Sequence, residues 1–178
     1  RERCIKQKLY NVGIKSITQI ENADAVCFSV EHPSHLFIAN DFVVTHNSHM
    51  ALDAAFKACL RHKSIQVGCF RQTYPELEEV FIQQMKRRFP DNVFKYKYRD
   101  KHKTAFFPNG SRIIFKSCET EADVKKAQGA EYQFLIIDEA PNWDIITIQK
   151  LMGSCRNARL SDFSPTVLMT GNPGGVSD

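Results

Sequence analysis

Nothing in this chain of 178 residues is apolar over the length that a bilayer span requires, so a membrane protein is not expected. A secretory leader, with a charged start, an apolar centre and a cleavage site, is missing as well. The six cysteines, Cys4, Cys27, Cys59, Cys69, Cys118 and Cys155, form no C-x-x-C pair, which argues against a zinc site. A reducing cytoplasm therefore fits better than secretion. Cys59, Cys69 and Cys118 stand in apolar helix or strand contexts and read as small core residues. Internal repeats and low-complexity tracts are absent. So is an initiating Met: the chain opens on Arg1 and stops shortly after Gly174-Gly175, and both ends read as cut.

What remains is the composition of a globular chain, 43% hydrophobic and 25% charged. The length allows one ordinary domain, or one small domain and a fragment. A net charge of +4 permits contact with nucleic acid without arguing for it. The densest basic cluster, Lys95 to Lys103, also holds Tyr96, Tyr98 and His102. It reads as a solvated, charged hairpin in preference to a surface that tracks phosphates.

Residues 1–47 predict only β-structure. Val12, Ile14 and Ile17 alternate weakly, and Ala25–Glu31 and Leu36–Ala39 are short strands split by a turn at His32-Pro33-Ser34. Phe42–Thr45 carries β-branched residues and reads as a last strand. So few apolar side chains cannot stabilise this piece alone, and it needs a partner. At its end, Asn47 can close its side-chain amide onto its own carbonyl and break the bond to Ser48 as a succinimide forms. His46 can donate a proton to the leaving group. The Ser48 hydroxyl can carry the upstream chain as an ester before transfer to its amine.

His46-Asn47-Ser48 alone is a weak tripeptide. Preceded by Val30-Glu31-His32-Pro33-Ser34-His35-Leu36-Phe37-Ile38-Ala39-Asn40-Asp41-Phe42-Val43-Val44, the segment resembles the C-terminal region of an intein of the HINT-type β-fold. Cys27, where most inteins carry Asp, together with Thr45 before His46, resembles the class 3 subgroup. The resemblance implies that Cys27 attacks the upstream junction, that Ser48 takes the chain over, and that Asn47 cyclisation releases the intein. It also implies an N-terminal intein half as partner. Without the Thr45 match, a half-buried strand cysteine would be the preferred reading of Cys27. His35 is either a support for Asn47 or an ordinary surface residue.

Residues 48–178 predict an α/β domain with a mostly parallel sheet. Met50, Ala51, Ala54, Ala55, Ala58 and Cys59 have helical spacing over 48–62. Ile65–Phe70 is a short strand. Pro75 opens a helix to Phe89 with Leu77, Val80, Phe81, Met85 and Phe89 on one face. Thr104–Phe107 and Arg112–Phe115 flank an Asn-Gly turn. Phe134–Ile137 reads as a buried parallel strand, 144–152 as a helix, and Thr166–Met169 as another buried strand. Alternation of this kind puts functional groups at strand carboxyl ends.

Ile136-Ile137-Asp138-Glu139 is the Walker B pattern. Two acids at the end of a buried strand are costly without a cation to hold, although they can also cap the next helix. In an NTPase the first acid orients Mg2+ and the second positions the attacking water. A Walker A loop has the form G-x-x-x-x-G-K-[ST] and runs into a helix. Here a helix begins at Ser48, but the glycines and the lysine do not precede it. Splicing to an upstream segment ending in Gly-Lys would complete the loop and make Ser48 the Mg2+-binding hydroxyl.

Three further segments carry a second resemblance: Phe70-Arg71-Gln72-Thr73-Tyr74-Pro75-Glu76-Leu77, Phe107 to Phe115, and Gln128-Gly129-Ala130-Glu131-Tyr132. With Thr170-Gly171-Asn172-Pro173-Gly174-Gly175, they resemble the P-loop ATPase domain of tailed-phage large terminases. The resemblance implies ATP and Mg2+ as cofactors, Asp138 as the Mg2+ acid and Glu139 as the catalytic carboxylate. Thr170, Gly171 and Asn172 would sense the γ-phosphate, and Arg71, Arg156 or Arg159 would contact nucleotide or form a surface salt bridge. Gly129 would serve only a turn. Double-stranded DNA, the portal protein, the small terminase subunit and a homo-oligomeric ring are the implied partners, in the host cytoplasm. A nuclease domain is expected beyond residue 178. Another intein-interrupted ATPase such as a phage helicase, or a non-enzymatic DNA-binding domain, stays open at this point.

Overall fold

A computed structural model describes residues 37–39, 43–45, 47–157 and 162–171. Strands β1 (Phe37–Ala39) and β2 (Val43–Thr45) pair antiparallel with each other in a two-stranded sheet of their own. The rest forms around a six-stranded sheet. Its strands are β3 (Gln66–Arg71), β4 (Lys97–Arg99), β5 (Thr104–Phe106), β6 (Arg112–Ser117), β7 (Phe134–Ile137) and β8 (Thr166–Met169). They lie in the order β4-β5-β6-β3-β7-β8. The run β6-β3-β7-β8 is parallel throughout, and β4 and β5 are added antiparallel at one edge.

Both faces of the sheet are covered. Helix α1 (Asn47–Arg61) is rich in alanine, the best helix former, and buries Ala51, Leu52, Ala55, Phe56 and Cys59. These pack with Val67, Cys69, Phe134 and Ile136 on one face. On the other, Phe70, Leu135 and Ile137 meet Ala127, Trp143, Ile148 and Leu151 from helices α5 (Glu121–Gln128) and α6 (Ile145–Met152) and the turn between β7 and α6. The alternation of one strand between two cores explains why β7 reads as a continuous apolar run. Gly68 of β3 is required here: a Cβ would lie 2.7 Å from both Phe70 Cε2 and Tyr132 Cδ1.

Several expectations need correction. The helix opened by Pro75 is built from α2 (Tyr74–Leu77), a π-wound stretch Glu78–Gln83 and α3 (Gln84–Arg88). The wider turn brings Ile82 into the core and leaves Val80 half-buried, so the buried set is Leu77, Phe81, Ile82 and Met85. A short α4 (Asp91–Phe94) follows. Thr166–Met169 is not buried: β8 pairs only with β7, Val167 and Leu168 are half-buried, and Thr166 and Met169 are exposed. Cys118 is half-buried, whereas Cys59 and Cys69 are core residues. Gly129 caps α5 at φ −70°, a conformation open to any residue. The Lys95–Lys103 cluster does form a hairpin, β4 and β5 joined through a 3-10 turn at Asp100–His102. Helix α5 had no counterpart among the expected elements. Its signal is the capping box in which Thr120 and Asp123 bond each other's backbone. Among the described residues, no helix is long and apolar enough to cross a membrane.

Candidate functional site

Three parallel strands end side by side, and α1 begins beside them. Arg71 closes β3, Asp138 follows β7, Thr170 follows β8, and Ser48 stands in the first turn of α1. Asp138 is fully buried. Its carboxylate accepts from Ser48 Oγ at 2.9 and 3.0 Å, across 90 residues of chain. It also accepts from Arg71 Nη1 at 2.9 Å and from the Thr170 hydroxyl. A buried carboxylate is tolerated only when its charge is paired and its lone pairs are used, and both conditions hold here. Arg71 extends the network: Nη2 lies 3.7 Å from Glu139 Oε1 and Nε 3.4 Å from Glu76 Oε2.

The backbone holds these groups in place. Asp138 N–H donates to Phe70 O at 3.0 Å, and Thr170 N–H to Ile137 O at 3.0 Å. The buried indole of Trp143 donates to Asp138 O at 2.9 Å. Glu139 has φ +53°, a left-handed backbone that costs about 1 kcal/mol or more in a residue with a side chain. That turn lifts the Glu139 side chain out of the core to 21% exposure, next to the buried Asp138. Ala140 N–H then donates to Thr170 O at 2.7 Å and ties the β7 and β8 ends together. Gly171 fits that junction because a Cβ would stand 2.2 Å from Pro141 Cδ.

The donor set suits Mg2+. A carboxylate and a hydroxyl are hard oxygen ligands, and Mg2+ commonly takes one or two such ligands and completes its shell with water and phosphate. Among the described residues no group of three His, Cys, Asp or Glu side chains could hold a metal, so a closed all-protein cage is not what this site offers.

Of the residues singled out by sequence, Ser48, Arg71, Asp138, Glu139, Thr170 and Gly171 lie together. Arg156 does not join them. It is exposed, and its N–H donates to Tyr132 O near the amino end of β7, the opposite end of the strand from Asp138. Cys27, His46, Arg159 and Asn172 lie outside the described residues. Thr45 ends β2 and Asn47 opens α1. Sequence reasoning passed over Trp143. It is the only Trp in the chain and stands five residues after Asp138.

The family described as terminase large subunit, T4likevirus-type, N-terminal, matches residues 32–166. The chain belongs to this family. The terminase match begins at residue 32 and therefore runs across the Asn47-Ser48 bond. The large terminase of a thermophilic bacteriophage (crystal form 2) has a similar fold, with a TM-score of 0.59 at 15% identity, over 71% of this chain and 31% of that one. The same phage protein in complex with ADP (crystal form 3) gives a TM-score of 0.53 at 13% identity, over 69% and 29%. This terminase-family chain thus spans about a third of the length of that protein, and at such identities the likeness is one of fold. No curated protein sequence matches it.

Proposed function

We propose that residues 48–178 form the ATP-hydrolysing part of a phage DNA-packaging terminase, and that residues 1–47 are the tail of an intein removed at Asn47-Ser48. The observation that carries the ATPase reading is the contact of Ser48 Oγ with both oxygens of Asp138. A hydroxyl in the first turn of a helix, against an acid at a strand end, is the pairing a Walker A serine and a Walker B aspartate make in P-loop NTPases. In this reading Ser48 and Asp138 hold Mg2+, which neutralises charge on the ATP phosphates when bound. Glu139, the more exposed acid, orients water and accepts its proton. Arg71, paired with Asp138 and beside Glu139, would contact the phosphates of a bound nucleotide. Thr170, bonded to Asp138 and joined through its carbonyl to Ala140, would sense the γ-phosphate.

The spliced protein would act in the host cytoplasm on double-stranded DNA, with a portal protein, a small terminase subunit and copies of itself in a ring. Asn47 stands where the phosphate-binding lysine of a Walker A loop belongs, so this chain alone should hydrolyse ATP poorly. The separate β1–β2 sheet, and a β8 with no strand on its outer side among the described residues, both support a host strand supplied from upstream.

A second reading, a terminase domain continuous through residue 47, is favoured by the match that starts at residue 32. Expression together with the upstream coding sequence separates the two. Under the intein reading, intact-mass analysis finds an excised protein ending at Asn47 and a ligated one in which Ser48 follows Gly-Lys. Asn47→Ala should then stop excision, and Cys27→Ala should prevent the branched intermediate. A single uncut polypeptide with steady ATPase activity abolished by Glu139→Ala would establish the second reading instead.

A further inference from the structure

A cleft opens on the same carboxyl edge of the sheet, separated from the β7 end that carries Asp138 by the intervening β3. It lies between the end of β6, the start of α2 and the first turns of α5, and encloses about 230 Å3. Lys103, Lys116 and Lys126 line it, with Asp123 as the one carboxylate and Ser117 as a neutral donor. Two of the lysines are already engaged. Lys126 Nζ is 3.5 Å from Asp123, whose other oxygen is bound by Thr120 in the capping box. Lys103 Nζ is 3.0 Å from Asp100 and 4.8 Å from the centre of the Tyr74 ring. Lys116 is different. Its side chain is half-buried and makes no hydrogen bond or ion pair among the described residues. Burial, with Lys126 nearby, holds its ammonium below the ordinary lysine value, while Cys118 and Asp123 act in the opposite sense. A desolvated, unpaired cation is a cost that a bound anion would offset.

We propose that this cleft binds a phosphate group, gripped by Lys116 and Lys126 with Lys103 at the rim and the Ser117 hydroxyl as donor. Compact ammonium groups suit a phosphate, which accepts from several directions at once. The volume is below the roughly 300 Å3 at which sites for drug-sized ligands begin, so the cleft suits a small anionic group rather than a larger molecule. That group is either the backbone of a nucleic acid or a free phosphate.

Fluorescence anisotropy of a labelled DNA duplex with the 178-residue chain, across a salt series, tests the assignment, with inorganic phosphate as competitor at constant ionic strength. Lys116→Met and Lys126→Met should each weaken duplex binding about threefold to tenfold and lower the slope of log K against log salt by about 1. Lys57→Met, on the exposed side of α1, should change neither. If the backbone is the source, the duplex binds tightly and inorganic phosphate competes only at far higher concentration. If free phosphate is the source, the duplex binds weakly, and calorimetric titration with inorganic phosphate shows binding that Lys116→Met abolishes. Lys126 is exposed on a helix, so its variant keeps the fold even if Lys116→Met does not. Unchanged binding of both probes in Lys126→Met and in a folded Lys116→Met, or no binding of either probe by the parent chain, overturns the proposal.

Discussion

Asp138 sets the charge balance of the site, and its neighbours differ in what their loss would leave behind. Arg71→Met strands a buried carboxylate with only hydroxyl partners, which costs about 3 kcal/mol or more. Asp138→Asn keeps an acceptor for Ser48 and Thr170, and Arg71 retains Glu139 and Glu76, so about 2 kcal/mol is expected. The two changes together should cost less than their sum, because the second removes the group that the first left unpaired. Urea midpoints of the parent, both single variants and the double variant measure this, and strict additivity would contradict the coupled network. Gly171→Ala drives a methyl into Pro141 and should lower stability by about 1–3 kcal/mol, seen as a lower thermal midpoint and a shifted Trp143 emission.

Helices α5 and α6 depend on side-chain caps at their first turns. Thr120→Ala removes the α5 capping box and should cost about 1 kcal/mol by chemical denaturation. Both caps also titrate. The Thr120 hydroxyl and N–H hold Asp123 below the ordinary 3.8, and Thr147 does the same for Asp144. A carboxylate whose value is depressed in the fold stabilises above its unfolded value, and that contribution is lost as pH falls through the folded one. Stability should therefore drop below about pH 3.8 as the caps protonate. Asp144→Asn keeps a capping acceptor but removes one titration, so the difference between thermal midpoints at about pH 5 and pH 3 should narrow. An unchanged difference would show that this cap does not contribute to the acid limb.

At the scale of the whole molecule, the sheet ends in two unlike edges. The β4 edge carries Lys97 and Arg99, charges that discourage pairing with another chain. The β8 edge has an exposed Met169 and half-buried Val167 and Leu168, with no strand on its outer side among the described residues. Concentration-dependent self-association of the 178-residue chain is therefore expected in sedimentation experiments, and Met169→Lys should reduce it. A chain that stays monomeric at high concentration would show that this edge is covered.

Apart from α4 and α5, the local sequence determined the order of the main strands and helices in residues 48–178, because apolar spacing and turn residues act over a few positions. It marked Asp138 and Glu139 as a strand-end acid pair and Ser48 as a helix-start hydroxyl. The π-wound turn was not legible, since Val80 and Ile82 offer equally good apolar side chains and only the packing selects Ile82. Nor was the exposure of β8, because a strand's own residues do not say whether a neighbour lies on each side. The partnership of Ser48, Arg71 and Thr170 around one carboxylate joins residues up to 90 positions apart. Tertiary structure alone decided it, because sheet order brings these strand ends together, and burial then requires the charge to be paired.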